Sequence, residues 1–129
     1  MVRKFDPEQI YAPTGLYYNA VEVGPAERLV FSSGIIGMTK DGTLLEDPAE
    51  QIDQAWRNVA GFLEGAGLTT DNLVRLKMHL TDRDHLPLSR EARIRNLGEH
   101  MHCAVTGVIV ALFDPALVIE IDVSAAAPA

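Results

Sequence analysis

The chain has 129 residues, 47% of them hydrophobic and 22% charged, which suits one soluble globular domain, residues 1–129, around a single core. A formal net charge of −7 argues against nucleic-acid binding through a general basic surface, because neutralising phosphates takes clustered Lys and Arg. The opening MVRKFDPEQIYAP lacks the apolar segment of a secretory signal, and no stretch approaches the ~18 apolar residues of a membrane span, so the expected location is the cytoplasm, away from membranes.

Residues 1–16 are polar, with Pro7, Pro13 and Gly15, and read as an arm or loop. Residues 17–23 (YYNAVEV) alternate, with Tyr17, Asn19, Val21 and Val23 on one face, and predict a first strand. A turn at 24–27 (GPAE) leads to a second strand at 28–36 (RLVFSSGII). A connection this short predicts an antiparallel hairpin. Gly34 inside the second strand marks a bulge, or a place where another group approaches the backbone closely.

After a turn at 40–43 (KDGT), Asp47-Pro48 reads as a helix cap followed by proline at the first helical position. Ile52, Ala55, Trp56, Val59, Phe62, Leu63 and Ala66 then recur at three- and four-residue spacing, an amphipathic helix ended by Gly65 and Gly67. Residues 73–80 alternate again. Val74, Leu76, Met78 and Leu80 point one way, and Leu73, Arg75, Lys77 and His79 the other. A second, more polar helix is predicted from about 84 to 101, with Asp82 or Asp84 as its cap and Pro87 in its first turn. Its charges between Arg90 and Glu99 read as a solvated face.

Residues 104–123 (AVTGVIVALFDPALVIEIDV) are two apolar runs around the turn residues Asp114-Pro115, and predict a closing hairpin. In the second run Leu117, Ile119, Ile121 and Val123 share one face, and Val118, Glu120 and Asp122 the other. Carboxylates inside an apolar run are costly to bury unless something pairs with them or uses them. A small-residue tail occupies 124–129.

The predicted order is β-β-α-β-α-β-β, an α+β class with a mostly antiparallel sheet and both helices on one face. The opposite face carries Arg75, Lys77, His79, Glu120 and Asp122 beside apolar residues, which points to burial against another copy of the chain.

This order and several strings resemble the RidA/YjgF family, the reactive-intermediate deaminases. The strings are Gly15-Leu16-Tyr17, Phe31-Ser32-Ser33-Gly34, Gln54-Ala55-Trp56-Arg57-Asn58-Val59 (the Q-x-x-x-N-apolar pattern), Ala66-Gly67-Leu68 and Ile119-Glu120-Ile121. The resemblance runs from about 12 to 125. It implies a chorismate-mutase-like fold and a homotrimer whose sheets pack inward, with active sites in clefts between subunits. It implies hydrolysis of small enamines or imines, such as 2-aminoacrylate, to a keto compound and ammonia, with no cofactor and no metal. The family's water-activating glutamate falls on Glu120, and its cleft-lining tyrosine, serine and glycine fall on Tyr17, Ser33 and Gly34. The family's carboxylate-gripping arginine falls on Val105, next to Thr106. Valine cannot make the bidentate contact of a guanidinium, whose loss in a partly desolvated site costs on the order of 2–5 kcal/mol.

Glu120 is therefore either a general acid/base for water attack or a carboxylate satisfied by a neighbour's amide or by Arg75 or Lys77 across an interface. Arg75, Lys77 and His79 are read as ion-pair partners of the acidic pair, or as simply exposed at an edge, rather than as a replacement anion anchor. The single cysteine, Cys103, rules out an intrachain disulfide and a cysteine-rich zinc site, and the run His100-Met101-His102-Cys103 is a weak metal signal. Cys103 as a nucleophile requires a lowered pKa. Two functions follow. The first is an imine or enamine hydrolase acting on a small reactive compound without the usual α-carboxylate grip, with Glu120 catalytic and Tyr17, Ser33, Gly34, Val105 and Thr106 lining the cleft. The second is a non-catalytic trimeric small-molecule-binding or interaction module of the same fold.

Overall fold

Asp47 and Pro48 begin the longer helix as their order requires. In the computed structural model, which describes residues 2–25, 27–99 and 103–129, the Asp47 side chain accepts a hydrogen bond from the Glu50 amide and opens α1, Pro48–Gly65. Gly67, at a φ of 72°, takes the left-handed turn that ends it. The second helix, α2, is shorter than its charge pattern suggests. It covers Leu86–Leu97 after a 3-10 turn at Arg83–His85 capped by Asp82, and it stops at Gly98, whose φ of 96° a side chain tolerates poorly. The motif residues His100, Met101 and His102 lie outside the described residues.

Among the described residues the strands are β1 (Val2–Phe5), β2 (Ala20–Val23), β3 (Glu27–Phe31), β4 (Leu73–Leu80), β5 (Ala104–Ile109) and β6 (Ile119–Pro128). The α+β class stands, and the helices pack together against one face of a four-stranded sheet of order β3-β6-β4-β5. Several pairings differ from expectation. The N-terminal arm is a strand, because β2 pairs with β1 in a separate two-stranded sheet. β3 instead pairs antiparallel with β6, whose ten residues offer a longer partner than the four of β2. The predicted tail is the end of β6, with Ala125, Ala126 and Ala127 buried.

The closing hairpin is also absent. β4 lies between β5 and β6, parallel to the first and antiparallel to the second. The cause is α2: a strand that follows a crossover helix returns parallel to the strand before it. The segment 110–118 then steps over the end of β4, where Leu80 O accepts from Val110 N and Thr81 N donates to Val118 O. Asp114 does make the predicted turn, accepting from the Ala116 amide through its side chain and from Leu117 through its carbonyl, but inside that longer crossing.

The core forms between helices and sheet from Ile52, Trp56 and Val59 of α1, Ala92 and Leu97 of α2, Leu73, Leu76 and Leu80 of β4, and Ile119, Ile121 and Val123 of β6. Strict alternation in β4 fails once. Its register slips between Leu73 and Arg75, so Leu73 and Leu76 both reach the core. Trp56 Nε1 donates to the buried Ser89 Oγ at 3.0 Å, tying α1 to α2. Asp53 adds a second tie, accepting from Arg95 Nη2 at 2.7 Å and Asn96 Nδ2 at 2.9 Å.

Two stability predictions follow from these contacts. A Cβ at Gly37 would lie 2.1 Å from the carbonyl oxygen of Gln51, main chain that cannot swing aside. Gly37→Ala is expected to destabilise the fold by about 1–3 kcal/mol in urea unfolding. Burial opposes ionisation of Asp53, but hydrogen bonds from Arg95 and Asn96 and the charges of Arg95 and Arg57 outweigh it and hold its carboxyl below 3.8. The stabilisation is thus complete above that ordinary value and lost as pH falls through the lower folded one. Asp53→Asn should lose about 1 kcal/mol at pH 7, since both arginines are largely exposed, and the difference should vanish in acid.

Candidate functional site

The glycine singled out in the second predicted strand sits at a true bulge. Phe31 pairs with Ser124, and the next bridge is Ile35 with Ile121, so four steps along one strand oppose three along β6. The extra residue falls in Ser32-Ser33-Gly34. Ser32 closes the gap on one side: its amide donates to Val123 O, and its hydroxyl accepts from Val123 N, both at 2.9 Å. Ser33 is exposed. Gly34 lies directly over the Glu120 side chain, and a Cβ there would stand 2.2 Å from Oε1 and 2.7 Å from Cγ. Only glycine permits that approach.

Two contacts from α1 hold the bulge in place. Asn58 Nδ2 donates to Ile36 O and Met38 O at 2.9 and 2.8 Å, while its carbonyl accepts from Gln54 Nε2. The Gln54…Asn58 spacing therefore has a structural reason. The pair reaches from the helix to the strand that carries Gly34.

Glu120 stands on the sheet face away from the helices, in register with His79, and Asp122 is in register with Lys77. No ion pair within the chain joins these groups among the described residues. His79 Nδ1 meets the Glu120 carbonyl at 3.0 Å, and Arg75 donates to Thr106 Oγ1 at 3.0 Å. Among the described residues no intrachain cation pairs with the Glu120 carboxylate.

The remaining predicted site residues gather elsewhere. Tyr17 Oη accepts from the Thr14 amide and shares a hydrogen bond with Thr14 Oγ1, both at 3.1 Å, and these bonds hold the phenol below its ordinary pKa. The Tyr18 amide donates to Cys103 O, and an Arg93 Nη2 hydrogen donates to Leu16 O, so the segment is strapped to β5 and α2. Val105 faces the helix side, where a cavity of about 410 Å³ has Leu16, Met78, Leu86 and Val105 as apolar walls beside Arg90 and Arg93. Thr106, its neighbour, faces the opposite side with Arg75. β4 separates Val105 from Glu120, and two strand spacings put their strands roughly 10 Å apart. One chain therefore brings Gly34 and Glu120 together and places the Tyr17 segment beside the Val105 cavity, but does not join the two groups.

Arg93 sits among charges that otherwise face solvent, which masks it in the sequence. A signal existed: Ser89, Arg93 and Leu97 follow at four-residue intervals along one helix face, and the first and last are buried. The Cys103 side chain is fully buried, away from any ligand that would need its thiolate. Burial raises its thiol to about 11, against the opposing charges of Arg93 and Lys4. Among the described residues no cluster of three His, Cys, Asp or Glu could hold a metal.

The family model described as endoribonuclease L-PSP matches residues 8–127. The chain belongs to the RidA/YjgF family. A RutC family protein of Aquifex aeolicus (strain VF5) is 37% identical over 82 residues, and this chain spans 63% of that relative's length. The Rid-family protein YyfB of Yersinia pestis, whose function is unknown, matches with a TM-score of 0.76 at 26% identity over 96% of this chain and 97% of its own. RidA from an Antarctic Psychrobacter matches with a TM-score of 0.68 at 27% identity over 95% and 98%. No helix among the described residues is long and apolar enough to cross a membrane.

The contact between Gly34 and Glu120 in this RidA/YjgF chain can be tested directly. A methyl at position 34 meets a side chain that can rotate away, unlike the main chain facing Gly37. Gly34→Ala should therefore lose only about 1 kcal/mol, the scale of a forced rotamer change, while a crystal structure of the variant shows the Glu120 carboxylate displaced.

Proposed function

We propose that this RidA/YjgF chain hydrolyses a small reactive imine or enamine, or a related unsaturated metabolite, in a cleft between subunits of a homotrimer. The observation that carries this reading is the bulge that lays the Gly34 backbone on Glu120, a carboxylate with no intrachain counter-ion among the described residues. The trimer is supported by the open sheet face. Leu29 and Phe31 are 53% and 67% exposed there, beside unpaired charges, and an assembly with the sheets inward would cover them. It would also supply from a second protomer what one chain keeps apart, setting the Gly34–Glu120 pair of one subunit against the Tyr17 segment and Val105 cavity of the next.

In that cleft Glu120 takes a proton from water as the oxygen adds to the imine carbon and returns it to nitrogen, giving a carbinolamine; it then takes the carbinolamine hydroxyl proton and delivers it to nitrogen as the carbonyl forms and the carbon–nitrogen bond breaks. Imine and water become carbonyl compound and ammonia. Ser33, Tyr17 and Thr106 offer hydroxyls for orientation, and the Gly34 backbone lets substrate approach the carboxylate. Valine at 105 alters specificity, since it supplies volume and no charge. Net charge −7 favours such a substrate over RNA.

A second reading, a trimeric binding module without chemistry, is favoured by that same valine. The two separate in one assay, with 2-iminopropionate generated in situ and imines lacking a carboxylate. Hydrolysis of at least one above the buffer rate is expected, and Glu120→Gln should reduce kcat by about 10²-fold or more. If no imine is consumed, or Glu120→Gln changes nothing, the hydrolase reading fails. A metabolite that raises Tm without being consumed then identifies a binding module.

A further inference from the structure

The cavity beneath Val105 is apolar over most of its wall, and its polar groups are few. Ser89 Oγ is already engaged, accepting from Trp56 Nε1 at 3.0 Å and donating to Met78 Sδ at 2.8 Å. What remains is cationic: Arg90 and Arg93, one turn apart on α2, both line the space. Arg93 is half-buried, its only hydrogen bond among the described residues goes to the Leu16 carbonyl, and its Nε is enclosed without a partner. No carboxylate pairs with either arginine among the described residues. The nearby Cys103 thiol, raised to about 11, supplies no negative charge at neutral pH. A guanidinium withdrawn from water next to a second one is held at an energetic disadvantage that a bound anion removes.

We propose that Arg93 and Arg90 form the anion anchor of this cavity, and that its ligand is a small carboxylate with an apolar body lying against Leu16, Met78, Leu86 and Val105. The volume of about 410 Å³ suits such a molecule. Charge sets the sign, because an amide of the same shape leaves both arginines unanswered. The assignment rests on reading this cleft as the small-molecule site, and it moves recognition of the ligand's charge from β5, where Val105 stands, to α2.

The test is calorimetric titration of the full chain with isovalerate, benzoate and phenylacetate, each against its primary amide. The carboxylates are expected to bind at least about tenfold more tightly than the amides. Arg90→Gln, an exposed position that leaves the Leu16 strap intact, should erase most of that difference. Arg93→Lys, which keeps the charge and loses the fork, should weaken the carboxylates and not the amides. Glu120→Gln should leave carboxylate binding in place. Equal binding of acid and amide, no binding of any carboxylate, or indifference to both arginine variants overturns the proposal. Carboxylate binding without hydrolysis of any imine upholds this anchor and removes the hydrolase reading. Hydrolysis that ignores both arginine variants does the reverse.

Discussion

The side-chain amide of Gln51 is the joint on which the placement of Glu120 depends. Fully buried, its Nε2 donates to Leu45 O at 2.8 Å and Ala116 O at 3.0 Å, and its Oε1 accepts from Val118 N at 2.6 Å. Its own carbonyl is the wall against which Gly37 packs. The first turn of α1, the strand leaving the bulge and the crossing into β6 therefore meet at one residue. Each orphaned polar group there would cost about 1–3 kcal/mol. Val118 enters β6 two residues before Glu120, and the Ile35–Ile121 bridge lies one residue beyond it. The carboxylate is thus located from both sides by contacts to distant parts of the chain, and the Gly34 approach follows from that geometry.

What could be read in the sequence was what local chemistry decides. The cap at Asp47, the periodicity of α1 and the alternation of 73–80 each act within a few residues, and each is present in the structure apart from the slip at Leu73. Strand pairing is a global choice. Nothing between 104 and 123 tells a hairpin from two strands on either side of β4, because both need the same apolar runs. Ala125 to Ala127 looked like a tail because small side chains carry almost no pattern, yet close packing against β3 buries them. Glu120 and Gly34 were visible as exceptions, a charge in an apolar run and a glycine in a strand. Arg93 was hidden among charges that do face solvent.

The two sides of the sheet carry different physics. Toward the helices, apolar residues form the core, and its few polar atoms are mostly paired. Away from the helices, His79, Lys77, Glu120 and Asp122 are interleaved in register and leave large apolar side chains of β3 uncovered. Val105 and Thr106, adjacent in sequence, belong one to each side. The two sides can therefore change separately: a substitution on the helix side reshapes the cavity without touching the face that carries the carboxylate.

The central place of β6 also bears on how the fold is reached. Val30 pairs with Ala125 and Lys77 with Asp122, so the sheet closes through contacts 95 and 45 residues apart along the chain. Local helix formation supplies none of them. Loop closure over such spans must be met before the strands stabilise one another, which places this chain among slow-folding, high-contact-order topologies. Until β6 inserts, β3 and β4 lack their shared partner, and the apolar face of α1 around Trp56 lacks much of its cover. Yield in the cell will consequently track how quickly that last strand docks, as well as how stable the finished sheet is.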